Sequence, residues 1–209
     1  MNIRVQNKER RQLQIIKAAE KLFIEKGLYD VQMQEIADVA GVGIATLFRY
    51  FAKRELIIVA VACQVMEQFE KAFENISNKP LSAFDKIEEL LRYFLTFAHG
   101  ENYQLIRFRD CFESYASFRA EPLENIEQYF DVQKSMINHL MTIIEQGKVD
   151  GSINSSIDIK SSLFTYINCF GKFTAKLAIH EDFAEVPEGI TTSIQQQLIM
   201  ELFLKTIKP

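Results

Sequence analysis

Apolar residues along this chain recur at steps of three and four, and nowhere do they alternate over a run of strand length. Ile15, Ala18, Ala19, Leu22 and Phe23 stand at i, i+3, i+4, i+7 and i+8, one face of an amphipathic helix. Leu56, Val59, Ala60, Cys63, Met66, Phe69 and Phe73 continue the same period, as do Leu105, Phe108, Phe112 and Tyr115. A pleated strand needs period two to bury one face. The pattern therefore predicts an all-α protein of about nine helices with no internal repeat.

Breakers divide the pattern. Gly27 caps the first helix in the left-handed conformation. Ile36, Ala37, Val39 and Ala40 mark a short second helix, and a longer one runs from Lys53 to about Ile76, where Asn78-Lys79-Pro80 breaks it. Phe84, Ile87, Leu91 and Phe94 lead to a stop at Gly100. Pro122 opens a long helix through Ile126, Phe130, Ile137, Leu140 and Ile144 to Gly147, and the segment KVDGSINSS is turn chemistry. Two further helices are expected, Asp158 to His180 and Ile190 to Ile207.

The longest uninterrupted apolar run, Leu56 to Cys63, is eight residues, far short of a membrane span. With no signal-peptide core near the N-terminus, the cytoplasm is the expected location and no membrane partner is expected. The net charge of −4 is unevenly placed: residues 1–55 carry 10 Lys+Arg against 7 Asp+Glu, and the remainder 14 against 21. A basic head on an acidic body suggests that only the head meets phosphate, although a solvated basic tail has the same composition. Cys63, Cys111 and Cys169 are odd in number and widely spaced, which fits neither a disulfide framework nor a zinc site. They are expected to be small buried hydrophobes.

The stretch AGVGIATLFRYF, Ala40 to Phe51, follows the short second helix. It reads as the turn and second helix of a helix-turn-helix. Ala37 is small where two helices must cross, and Gly41 supplies the positive φ of a sharp turn. Val42 plugs that turn, and Leu47 packs back onto Ile36 and Ala37, with Val39, Ala40 and Tyr50 completing the small core. Gly43, Ile44, Ala45, Thr46 and Arg49 fall on the exposed face. Ile44 and Ala45 suit thymine methyls, Thr46 a base edge or phosphate, and Arg49 either guanine or the backbone.

Together, the upstream AAEKLFIEKGLYD, the motif EIADVAGVGIATLFRYF and the following KRELI resemble the N-terminal domain of the tetracycline-repressor (TetR) family, over about Gln12 to Leu56. The resemblance implies a DNA-binding domain over residues 1–52 and a ligand-binding and dimerisation domain over residues 53–209. It implies a homodimer on a palindromic double-stranded operator, released by a small hydrophobic effector, most often as a repressor. The implied DNA-binding set is Gln32, Gln34, Gly43, Ile44, Ala45, Thr46, Phe48, Arg49, Tyr50 and Arg54. Several positions depart from the family pattern. Gln32 stands in place of a capping threonine and Gly43 in place of a serine or threonine cap. Phe48 replaces a tyrosine, and Arg54 a lysine.

The aromatic load after residue 56 points to an apolar effector pocket among the later helices. Tyr93, Phe97, Phe108, Phe112, Tyr115, Met136, Phe164 and Phe170 can point inward, with Tyr93, Tyr115 or His139 as polar groups. Nothing charged falls confidently inside, so a neutral ligand is expected. Ile190, Ile194, Leu198 and Leu202, with Leu163, Ile167, Phe170 and Leu177, offer apolar stripes for a dimer across the last two helices. His99, His139 and His180 lack carboxylates at the spacing of a metal site, and neither a phosphate loop nor a nucleophile elbow is present. No enzyme, metal or cofactor is expected. The competing reading is a helical binding protein, or a regulator that answers to a protein partner.

Overall fold

The structure, a computed structural model, describes residues 3–98, 100–170 and 189–209. All regular structure among them is helical. The elements are α1 (Ile3–Lys26), α2 (Met33–Val39), α3 (Ile44–Tyr50), α4 (Arg54–Ser77), α5 (Ala83–Leu95), a 3₁₀ turn (Thr96–Ala98), α6 (Gly100–Ser117) and α7 (Ile126–Asp150). A further helix, α8, covers 159–170, and α9 (Thr192–Ile207) ends the fold. No described helix is long and apolar enough to cross a membrane.

The chain divides into two compact units, residues 1–68 with 107–133, and residues 69–106 with 134–209. This division does not follow a boundary between residues 52 and 53, because the segment 107–133 packs with the N-terminal helices. In the first unit Ile15, Ala19, Phe23, Leu28, Val31, Ile36, Ala37 and Leu47 are buried together with Ile57, Ile58 and Val61 of α4. Phe23 stacks on Phe108, with ring centroids 6.0 Å apart. In the second unit the core is aromatic. Phe94 meets Phe73, Phe97 and Phe170, and Tyr166 lies between Phe170 and Phe203.

Two expected helix ends move. Gly100 begins α6 instead of stopping the element before it, and Gly147 lies inside α7. A Cβ at Gly147 would lie 2.2 Å from the Ile153 side chain and 3.2 Å from Ala83, so this glycine serves close packing. The actual turn follows at Gly151, with φ +67°. Asp150 holds it: its carboxylate accepts from the backbone N–H groups of Ala83 (2.9 Å) and Ser152 (2.9 Å). Those bonds, with that of the Ser152 side chain foremost, lower the Asp150 carboxyl to about 2.

Three smaller expectations also change. Val39 is exposed, not core, and Cys169 is exposed while Cys63 is buried. Burial raises the Cys63 thiol to about 11, which leaves it inert as a nucleophile. On the expected dimer stripes, Leu163 and Phe170 are buried in their own chain. Leu177, like all of the expected helix beyond residue 170, lies outside the described residues.

Candidate nucleic-acid interface and effector cavity

A left-handed turn sets the position of α3. Gly41 has φ +62°, its N–H donates to the Asp38 carbonyl (3.1 Å), and the Val42 N–H donates to Ala37 (3.0 Å). Gln14 of α1 closes the end of α2 by donating to the Ala40 carbonyl at 2.6 Å. The N-terminus of α2 is better held than a glutamine cap suggests. The Glu35 carboxylate accepts from the Gln32 N–H at 2.8 Å, and its bond to Lys26 first, then this one, lower its pKa. At the start of α3, Gly43 serves as N-cap with extended backbone and no side-chain bond, and its carbonyl accepts from Thr46 and Leu47.

With Leu47 buried against Ile36 and Ala37, the opposite face of α3 is fixed by helical geometry. Ala45, Phe48 and Arg49 are exposed there, and Ile44, Thr46 and Tyr50 are half-buried. The Arg49 guanidinium lies 5.9 Å from the Tyr50 ring. On α2, Gln32 and Gln34 are exposed, and Gln34 donates to Asp38 at 2.8 Å. Lys8, Arg10 and Arg11 are exposed along α1, so the basic residues near the N-terminus lie on a helix.

Arg54 has a role that its sequence position does not reveal. It donates to the Val31 carbonyl at 2.9 Å and to the Leu28 carbonyl, and its guanidinium sits 5.9 Å from the Phe23 ring. It thus pins the α1–α2 turn to the start of α4. Removing it leaves two part-buried carbonyls without partners, a loss of about 1–3 kcal/mol for each unsatisfied group. Arg54→Ala should therefore lower stability in urea denaturation by at least about 1 kcal/mol, independently of any DNA.

Beside this head, the end of α6, the loop after it and the start of α7 line a half-open cavity of about 610 Å³. Phe112, Ala116, Pro122, Ile126 and Phe130 supply its apolar wall. Glu113, Ser117, Arg119, Tyr129 and Gln133 are its polar groups. Tyr129 is buried and donates its hydroxyl to Glu113 at 2.8 Å. Burial first, then that carboxylate, push the phenol far above its ordinary range, so it stays protonated. Arg119, on the rim, lies 4.0 Å from Glu55 at the start of α4 and 5.5 Å from the Tyr115 ring centroid.

Of the nine side chains expected around an effector, Phe112 alone lines this cavity. Phe108 is spent on Phe23, and Tyr115 makes an edge contact with Tyr29. Tyr93, Phe97 and Phe170 belong to the aromatic core of the second unit. Met136 and Phe164 are half-buried, and His139 sits 3.2 Å from Glu70, which also accepts from Ser135. The charged Glu113 was not anticipated. No group of three or more metal-ligating side chains occurs among the described residues.

Residues 15–61 match the family model of the bacterial regulatory proteins, tetR family. The chain is similar to the fatty acid metabolism regulator protein of Bacillus subtilis (strain 168), 25% identical over 157 residues, covering 75% of this chain and 77% of that protein. An HTH-type transcriptional regulator of Staphylococcus aureus (strain USA300) is 32% identical over 90 residues, 43% of this chain and 48% of the relative. Two solved structures share the fold. The regulator FadR from Bacillus subtilis, in complex with stearoyl-CoA, superposes with a TM-score of 0.67 at 21% identity, over 93% of this chain and 98% of that one. The fatty acid degradation regulator FadR from Bacillus halodurans gives 0.69 at 17% identity, over 93% and 94%.

Proposed function

We propose that the chain is a transcriptional regulator of the tetR family that binds a palindromic operator as a homodimer, as a repressor, and is released by a hydrophobic effector. The observation that carries this reading is the outward face of α3. Ala45, Phe48 and Arg49 are exposed around a buried Leu47, on a helix aimed by the Gly41 turn. A short helix presented this way fits the major groove, and Lys8, Arg10 and Arg11 supply positive charge for phosphate. Gln32, Gln34, Gly43, Ile44, Thr46 and Tyr50 complete the proposed contact surface, with Arg54 as its support. The division of labour remains residues 1–52 for DNA and 53–209 for effector and dimer, in the cytoplasm.

The cavity on α6 and α7 is the proposed effector site. Its rim residue Arg119 lies 4.0 Å from Glu55 at the start of α4, and Glu124 of the same loop pairs at 3.2 Å with Lys53 just before that helix. The helix that follows α3 is therefore tied to the cavity wall. An effector preferring one arrangement of that wall shifts operator affinity by its differential binding, typically about 1–3 kcal/mol. The Bacillus relatives make long-chain acyl thioesters a necessary member of any effector panel.

Selection of bound sequences from random duplex, followed by Arg49→Ala, tests the reading. Loss of preference at one operator base pair, at about 1–3 kcal/mol, means that Arg49 reads guanine. A uniform loss with a shallower salt dependence means that it anchors the backbone. Recovery of no enriched sequence by the wild-type protein would overturn the DNA-binding proposal.

A further inference from the structure

The lining of the α6–α7 cavity specifies more than apolarity, and we propose that it binds an amphipathic organic cation, with the charge at Glu113 and the hydrocarbon body against Phe112, Ile126 and Phe130. This rests on the reading of the cavity as the effector site and names the ligand class that site takes. Its 610 Å³ lies within the range of small-molecule pockets, about 300–1,000 Å³.

Three rings and one carboxylate converge on this space. Phe112 and Tyr129 have ring centroids 4.9 Å apart, and Tyr129 and Phe130 stand edge to face at 5.8 Å. Aromatic faces attract cations through the ring quadrupole. The carboxylate is held for the task. Glu113 accepts from the Tyr129 hydroxyl at 2.8 Å.

The neighbouring cations do not cancel Glu113. Arg109 is engaged by Asp110, at 2.8 and 3.3 Å, and approaches Glu113 only to 4.0 Å. Arg119 faces Glu55 and the Tyr115 ring. The nearer bonds of Arg109 thus go to Asp110, and Glu113 keeps only the 4.0 Å contact with it. Residues 107–133 as a whole hold three arginines against six acidic residues. A fatty acid carboxylate, and still more the phosphates of an acyl-CoA, would enter against that charge.

The test is calorimetric titration of the full chain with three probes of equal hydrocarbon length: decyltrimethylammonium, decanoate and decanoyl-CoA. The cation should bind at least ten-fold more tightly than either anion. Glu113→Gln, which keeps an acceptor for Tyr129, should weaken the cation at least ten-fold and leave decanoate unchanged or tighter. Ala116→Trp, filling the cavity, should weaken the cation while its circular-dichroism melt reports that the fold is kept. Preference for decanoate or decanoyl-CoA, or a Glu113→Gln protein within two-fold of wild type for the cation, overturns the proposal. Operator release is read in parallel. Release by decanoyl-CoA without cation binding sinks this inference and leaves the effector reading standing, whereas binding of none of the probes sinks both.

Discussion

Gly41→Val should abolish operator recognition while leaving a folded, less stable protein. Gly41 adopts φ +62°, which a β-branched residue reaches only under strain of about 1–3 kcal/mol. Space is not the obstacle. The nearest side-chain atom to an added Cβ is Gln14 Nε2, at 4.0 Å. The cost is therefore conformational, and the chain relieves it by re-aiming α3 relative to α2. A domain of this size loses roughly 2–4 °C in Tm per kcal/mol, so a fall of a few degrees up to about ten is expected. Operator affinity should drop to the level of random duplex. Gly41→Ala should lie between, since the left-handed region costs an unbranched residue about 1–2 kcal/mol. Equal Tm and equal operator affinity for the valine variant would show that this turn is not what positions α3.

The second large effect is expected at α9. Ile190, Ile194, Leu198 and Leu202 repeat every four residues and are 44, 53, 54 and 54% exposed in the single chain, while Thr192, Gln196, Met200 and Ile207 on the other side are buried. An amphipathic helix normally turns its apolar stripe inward. Here a second apolar stripe faces out, which is the surface a two-fold partner would cover. Ile194→Glu with Leu198→Glu places four like charges against one another across such an interface. Sedimentation should then report a monomer with an unchanged helical signal. Two linked heads on half-sites about 34–36 Å apart bind as one multivalent unit. Their separation should cost about 10²- to 10⁴-fold in operator affinity. A wild-type chain already monomeric at micromolar concentration, or a double variant that stays dimeric, rules out α9 as the dimer face.

Periodicity determined much of this protein without any coordinates. The 3.6-residue repeat gave the helices because a helix buries one stripe, and a stripe is visible in sequence. Gly27 and Gly41 were legible for a related reason: each sits where the chain must take a positive φ, and glycine is the residue that does so without strain. The exposed face of α3 followed, since burying Leu47 fixes what Ala45, Phe48 and Arg49 can do. What periodicity cannot report is which neighbour a buried face meets. Phe108 and Phe112 belong to one stripe on α6, yet the first packs on Phe23 and the second lines the cavity. Gly147 looked like a helix end because its true reason, the Ile153 side chain, comes from the chain beyond the helix. Arg54 looked like a free cation because its partners, the carbonyls of Leu28 and Val31, lie in a turn more than twenty residues earlier. Glu113 carries no signal within its own segment, because its partner Tyr129 comes from α7. Local pattern fixes what each segment prefers to bury, and only the packed chain decides against whom, because those partners are set by contacts between segments far apart in sequence.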